Sequence, residues 1–107
     1  STGRLGDDID VATGVACARQ CAANGLAVLS RGLGGLGRIE RLLKVTVFVA
    51  SAPGFGDQPI VANGASEVLY AVLGDAGRHA RSAVGVASLP LRCPVEVELV
   101  AVLADAE

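Results

Sequence analysis

Residues 42–50 (LLKVTVFVA) and 95–103 (VEVELVAVL) read as β-branched strands that are apolar on both faces. In the first, Leu43, Val45, Val47 and Val49 point one way, with Phe48 and Ala50 opposite. In the second, Val95, Val97 and Leu99 oppose Val100 and Val102. A sheet solvated on one side shows a cleaner polar alternation. A further strand is expected over residues 81–88, with Val84 and Val86 on one face and Ala83, Gly85 and Ala87 on the other. Two helices cover only one face of the four-strand sheet expected here. At roughly 25 cal/mol per Å² of apolar area, an open second face forfeits several kcal/mol. A neighbouring subunit is therefore expected to cover it, close to the small row Ala83, Gly85 and Ala87. A segment preceding the chain is the alternative cover.

The helices are legible from spacing and punctuation. Residues 1–6 read as a strand end and turn, and Asp7, Asp8 or Asp10 can cap the first helix. From Val11 to about Arg31, Val15, Ala18, Ala22, Leu26 and Leu29 form one apolar stripe, closed by Gly32, Gly34 and Gly35. Residues 52–59 are a Gly- and Pro-rich turn. A short helical turn over 59–62 precedes a second helix over 63–73, with Asn63 as cap and Val68, Leu69 and Val72 inward. Residues 77–80 read as a loop.

A chain of 107 residues suits a single domain, 1–107. It opens without Met or a signal-peptide pattern, and its first residues look like the end of a strand. A preceding strand segment is thus expected to be missing, and the location to be cytoplasmic. No apolar run reaches the roughly 18 residues of a membrane span. Net charge is −2, with one histidine, which argues against nucleic-acid binding by a basic surface. The odd count of three cysteines argues against a disulfide framework and fits a reducing compartment. Cys17 and Cys21 lie one helical turn apart and read as small apolar side chains, not as metal ligands.

Two features carry chemistry. Arg81 begins a strand, just after Arg78 and His79, and can present a guanidinium fork to a carboxylate. Glu96 and Glu98 lie on one face of the last strand, in apolar company. Glu96 suits a general acid or base, or a holder of attacking water. The plainer readings are a structural ion pair of Arg81 with Glu98, a solvated strand-end Glu96, and a packing role for His79. The short connection over 89–94 turns the last two strands in opposite directions. Arg81 begins one and Glu96 the other, so within one chain they are expected about 20 Å apart. Shared work would then need two subunits.

The run Arg81-Ser82-Ala83-Val84-Gly85-Val86-Ala87-Ser88-Leu89-Pro90, followed by Val95-Glu96-Val97-Glu98, resembles the C-terminal signature of the YjgF/RidA family, also labelled endoribonuclease L-PSP. Residues 44–49 (KVTVFV) look like its central strand, Thr2-Gly3-Arg4 like its S-G-Q strand end, and Asn24 matches an Asn of its first helix. Asn63-Gly64-Ala65-Ser66 with Gly77-Arg78-His79-Ala80-Arg81 resembles a less-studied branch. The similarity runs over nearly the whole chain.

That resemblance implies an α+β, chorismate mutase-like fold: a mixed sheet with two helices on one face, assembled as a homotrimer with clefts between subunits. It also implies cofactor-free, metal-free hydrolysis of reactive enamines and imines such as 2-iminopropanoate to 2-oxo acids and ammonia. Arg81 would hold the substrate carboxylate and Glu96 would position water, with Asn63, Thr2 and Gly3 lining the cleft. Ala83 stands where deaminases often carry Cys or Thr, which favours the alternative of a non-catalytic trimer binding a small carboxylate metabolite. The third reading is the ribonuclease of the family's other label, served by Arg78, His79 and Arg81.

Overall fold

The computed structural model describes residues 1–105. Helix α1 (Val11–Leu33) begins where the Asp10 carboxylate accepts the Thr13 backbone N–H at 2.8 Å. It ends at Gly34, whose φ of 72° places it in the left-handed region that closes a helix. Its buried face is Gly14, Ala18, Ala22 and Leu26; of the expected stripe, Val15 and Leu29 are only half-buried, and Gly14 takes the place of Val15. Strand β1 (Ile39–Ala50) starts before residue 42, where the sequence placed it, because Ile39 enters the core.

Helix α2 (Gln58–Leu73) corrects the sequence reading. The two pieces expected on either side of Ala62 are one continuous helix that starts after Asp57. Pro59 sits in its first turn, where a missing N–H is harmless, and nothing between Ala62 and Asn63 breaks the ladder. Asn63 is therefore an exposed residue of the helix body, not its cap. Val61, Ala62, Ala65 and Leu69 face inward, whereas Val72 is exposed. A 3-10 turn (Gly74–Gly77) leads to strand β2 (Ala80–Val86), and a second one (Pro90–Arg92) to strand β3 (Val95–Leu103).

The sheet has three strands in the order β2-β1-β3, not four. Strand β2 runs parallel to β1, and β3 antiparallel. Leu5 makes single isolated bridges to Ile9 and to Ser51, just past the end of β1. Both helices lie on one face, over Val45, Val47 and Val49 of β1 and the inward residues of β3, which begin with Val95. Leu42, not Leu43, points inward near the start of β1: irregular pairing around 42–44 shifts the alternation, leaving Leu43 exposed.

The small row on β2 also lies elsewhere than expected. Ala83 and Gly85 pair with Val47 and Val49, so they share the helix-covered face. A Cβ at Gly85 would stand 2.8 Å from the Gln58 amide nitrogen, so the close approach there is by α2 of the same chain. The uncovered face instead carries Lys44, Thr46 and Phe48 with Ser82, Val84, Glu96, Glu98 and Val100. Val84 and Val100 are among the exposed apolar side chains.

Candidate functional site

Arg81 pairs with Val45 in the parallel ladder, so its side chain leaves the sheet on the side of α2. There the helix meets it with Asn63, Ser66, Glu67 and Tyr70, spaced three and four residues apart along one edge. With His79 they line a crevice of about 410 Å³. Arg81 Nη1 donates to Asn63 Oδ1 at 2.8 Å and to Ser66 Oγ at 3.3 Å. Nη2 makes a longer bond, 3.5 Å, to the Pro59 carbonyl. These bonds fix the guanidinium plane and leave Nε–H and one Nη2–H uncommitted, a fork suited to a carboxylate.

The charges nearby do not satisfy that fork. Glu67 is held at 3.0 Å by Arg19 of α1, and Arg78 turns away to Asp75 at 3.6 Å. Among the described residues Arg81 has no acidic partner, so the ion pair with Glu98 considered from sequence is not formed. His79 is half-buried. Its Nδ1 lies 2.6 Å from the Gly77 carbonyl, an acceptor only, and its Nε2 lies 3.0 Å from Ser66 Oγ. The Tyr70 ring stacks on the imidazole with centroids 5.5 Å apart.

The remaining expected site residues lie toward the C-terminal end of β1, near Phe48 and Ala50. Gly3 donates its N–H to the Arg92 carbonyl at 2.9 Å and lines a crevice of about 270 Å³ with Arg4, Ala50, Arg92 and Cys93. Thr2 precedes it at the exposed surface. Glu96 stands beside this region, in a depression of about 200 Å³ with Leu89, Leu91 and Cys93. Leu91 and Arg92 hold left-handed backbone, φ 59° and 55°, which is strained for side chains of their kind. Asp8 ties this corner together: it accepts the Arg4 N–H at 2.7 Å and pairs with Arg92 at 3.6 Å. The Arg4 N–H bond holds its carboxyl below the usual carboxylate range, with the Arg92 and Arg4 charges adding to the effect.

One protomer thus brings Arg81 and Asn63 together and keeps them apart from Thr2, Gly3 and Glu96. The distance expected from sequence needs correction. Because β1 lies between β2 and β3, Arg81 opposite Val45 and Glu96 opposite Phe48 are about 14 Å apart at Cα. Separation within a chain comes from direction: the three-residue offset along β1 sends the two side chains to opposite faces.

Sequence reasoning missed Ser66 and Tyr70, whereas His79 lies in the loop expected for it, just before β2. The available signal was the polar edge Asn63, Ser66, Glu67, Tyr70 on an otherwise apolar helix. Reading Asn63 as a cap hid it, since residue 63 then stood outside the helical repeat.

A mixed sheet with two helices on one face and an arginine crevice at the start of a strand defines an α+β protein of the chorismate mutase-like class. The sequence profile of the family described as "YjgF/chorismate_mutase-like, putative endoribonuclease" matches residues 1–103, and the chain belongs to that family. It is 48% identical over 98 residues to "Protein TCP17" of Trypanosoma cruzi, covering 91% of this chain and 61% of that protein. The crystal structure of Atu1372 from Agrobacterium tumefaciens, described as of unknown function, has a TM-score of 0.94 at 46% identity over 96% of this chain and 66% of that one. A structure described as a putative endoribonuclease from Shewanella oneidensis MR-1 has a TM-score of 0.91 at 31% identity over 95% and 68%. The chain therefore spans about 61% of the length of its curated relative. No helix among the described residues is long and apolar enough to cross a membrane.

Proposed function

We infer that this protein is a cofactor-free hydrolase of small enamine or imine carboxylates, working at a crevice shared by two subunits of a homotrimer. The observation that carries this reading is the Arg81 guanidinium: it lines a crevice, is pinned by Asn63, Ser66 and Pro59 with two N–H donors uncommitted, and has no acidic partner among the described residues. Such a fork holds a carboxylate in bidentate fashion. Glu96 of a neighbouring copy is the group assigned to water. The projection of Arg81 and Glu96 from opposite faces of the sheet, with Phe48, Val84 and Val100 on the uncovered face, supports the assembly: each copy carries two half-sites that a second copy joins.

The test is ammonia release from freshly generated 2-iminopropanoate, with pyruvate binding measured by calorimetry. Turnover abolished in both Arg81→Ala and Glu96→Gln supports the hydrolase. Pyruvate binding that needs Arg81 without any turnover moves the reading to a carboxylate-binding trimer. Equal inertness and equal lack of binding in wild type and Arg81→Ala overturns both. The description of the Shewanella relative favours a second reading, RNA cleavage. It requires cleavage by nuclease-free protein that His79→Ala abolishes.

A further inference from the structure

The Ser66–His79 pair has a directed hydrogen-bond pattern that the carboxylate-holding role of Arg81 does not use. The Gly77 carbonyl, 2.6 Å from His79 Nδ1, can only accept, so Nδ1 carries a proton. In the neutral ring Nε2 is then an acceptor, and the Ser66 hydroxyl, 3.0 Å away, donates to it. The same oxygen accepts from Arg81 Nη1 at 3.3 Å. Every donor in the chain Arg81, Ser66, His79, Gly77 thus points the same way. Ser66 is only 8% exposed, yet it lines the crevice next to the guanidinium. If Nε2 gains a proton, it becomes a donor, and the Ser66 O–H is released to turn toward the crevice. Gly77 is built into this arrangement: it is buried, and a Cβ there would collide with the Leu69 carbonyl, so the turn presenting its carbonyl to His79 accepts only glycine without displacement.

We propose that Ser66 and His79 are a proton relay of the Arg81 crevice, with the Ser66 hydroxyl touching the imine end of a carboxylate-bearing substrate and His79 behind it as the base. The proposal rests on the reading of Arg81 as the carboxylate holder. Water adds to the carbon of the C=N bond; its proton passes to Ser66 Oγ as the Ser66 proton passes to His79 Nε2. The carbinolamine nitrogen then takes a proton from Ser66, which is resupplied by His79. As the C–N bond breaks with its electron pair on nitrogen, the carbinolamine hydroxyl proton passes through Ser66 to that nitrogen, and a 2-oxo acid and ammonia leave. One water is consumed and no electrons are exchanged. Glu96 from a neighbouring copy orients the water; His79 positions and recharges Ser66. The titratable and charged groups around His79 are Tyr70 and Glu67 from α2, Asp75 and Arg78 from the preceding turn, and Arg81 from β2.

The chain contains one histidine, so its ring nitrogens give unambiguous NMR signals. The experiment tracks those 15N resonances while pyruvate is added, with calorimetry in parallel and ammonia release measured for wild type, Ser66→Ala and His79→Gln. The expected results are a proton on Nδ1, an Nε2 resonance that moves on saturation with pyruvate, and loss of that response in Ser66→Ala although pyruvate still binds. Turnover should fall about 10²-fold in kcat in either variant, with KM little changed. Pyruvate that binds without moving the imidazole signals overturns the relay alone, as does a folded His79→Gln with full kcat. A wild type that binds pyruvate and releases no ammonia overturns its catalytic role. Absence of pyruvate binding overturns the reading of Arg81, and the relay with it.

Discussion

Arg81 and Glu96 project from opposite faces of one sheet, Arg81 toward α2 and Glu96 toward the uncovered side. No rotamer change in a single copy brings them together, because the sheet lies between them. Two copies do so if the β2–α2 edge of one meets the uncovered face of the next, and a closed ring repeats that contact at every junction.

This geometry makes the site testable by mixing. Arg81→Ala and Glu96→Gln homo-oligomers should each be inert toward 2-iminopropanoate. Co-refolded as a random mixture they should recover roughly a quarter of wild-type turnover, since that share of junctions joins two intact halves. Recovery is read by ammonia release; none in verified mixed oligomers sinks the shared site.

A second prediction concerns acid stability. Thr13, through its side chain and its backbone N–H, lowers the Asp10 carboxyl from its ordinary value of 3.8. A lowered folded-state pKa gives stability that is present above the ordinary value and lost as pH falls through the folded one. Melting temperature should thus decline below about pH 4, as these carboxylates protonate, and Asp10→Asn should flatten part of that decline while retaining the cap. Asp8 contributes in the same sense and keeps some slope in the variant. Thermal melts from about pH 2.5 to 7 check it.

Gly64 marks where α2 crosses α1. A Cβ there would stand 2.5 Å from the Val15 carbonyl and 3.0 Å from Val15 Cγ1. Since the carbonyl belongs to a helix ladder it cannot simply turn away, so Gly64→Ala should cost about 1–3 kcal/mol by denaturant titration. Gly32, with nothing within 4 Å of such a Cβ, is the control and should tolerate alanine.

Thiol chemistry should separate the cysteines. Burial, with Cys17, Cys93 and Glu96 nearby, pushes the Cys21 thiol up, and its Sγ–H donates to the Val95 carbonyl at 3.5 Å. Cys93 is exposed. Iodoacetamide at about pH 8 should label Cys93 first and Cys21 only when the protein unfolds, as mass spectrometry of timed digests would read.

What the sequence disclosed and what it withheld have physical causes. The α1 stripe and the span of β3 were legible because burial repeats at the period of the element. Val95, Val97 and Leu99 alternate with Glu96 and Glu98 in the chain as they do across the sheet. The short link between β2 and β3 gave their opposite directions correctly but not the strand order, since β1 separates them. Covalent proximity does not fix pairing when a longer strand offers both its edges. Arg81 stood out as a cation at a strand start, but its partners depend on where α2 begins.

The stacked pair of Tyr70 and His79 has a practical consequence. The chain holds one tyrosine and no tryptophan, so its tyrosine emission arises from a ring lying against the imidazole. The molecule carries its own optical gauge at the wall of the crevice, and occupancy or charge there can be followed in dilute solution without attaching a dye.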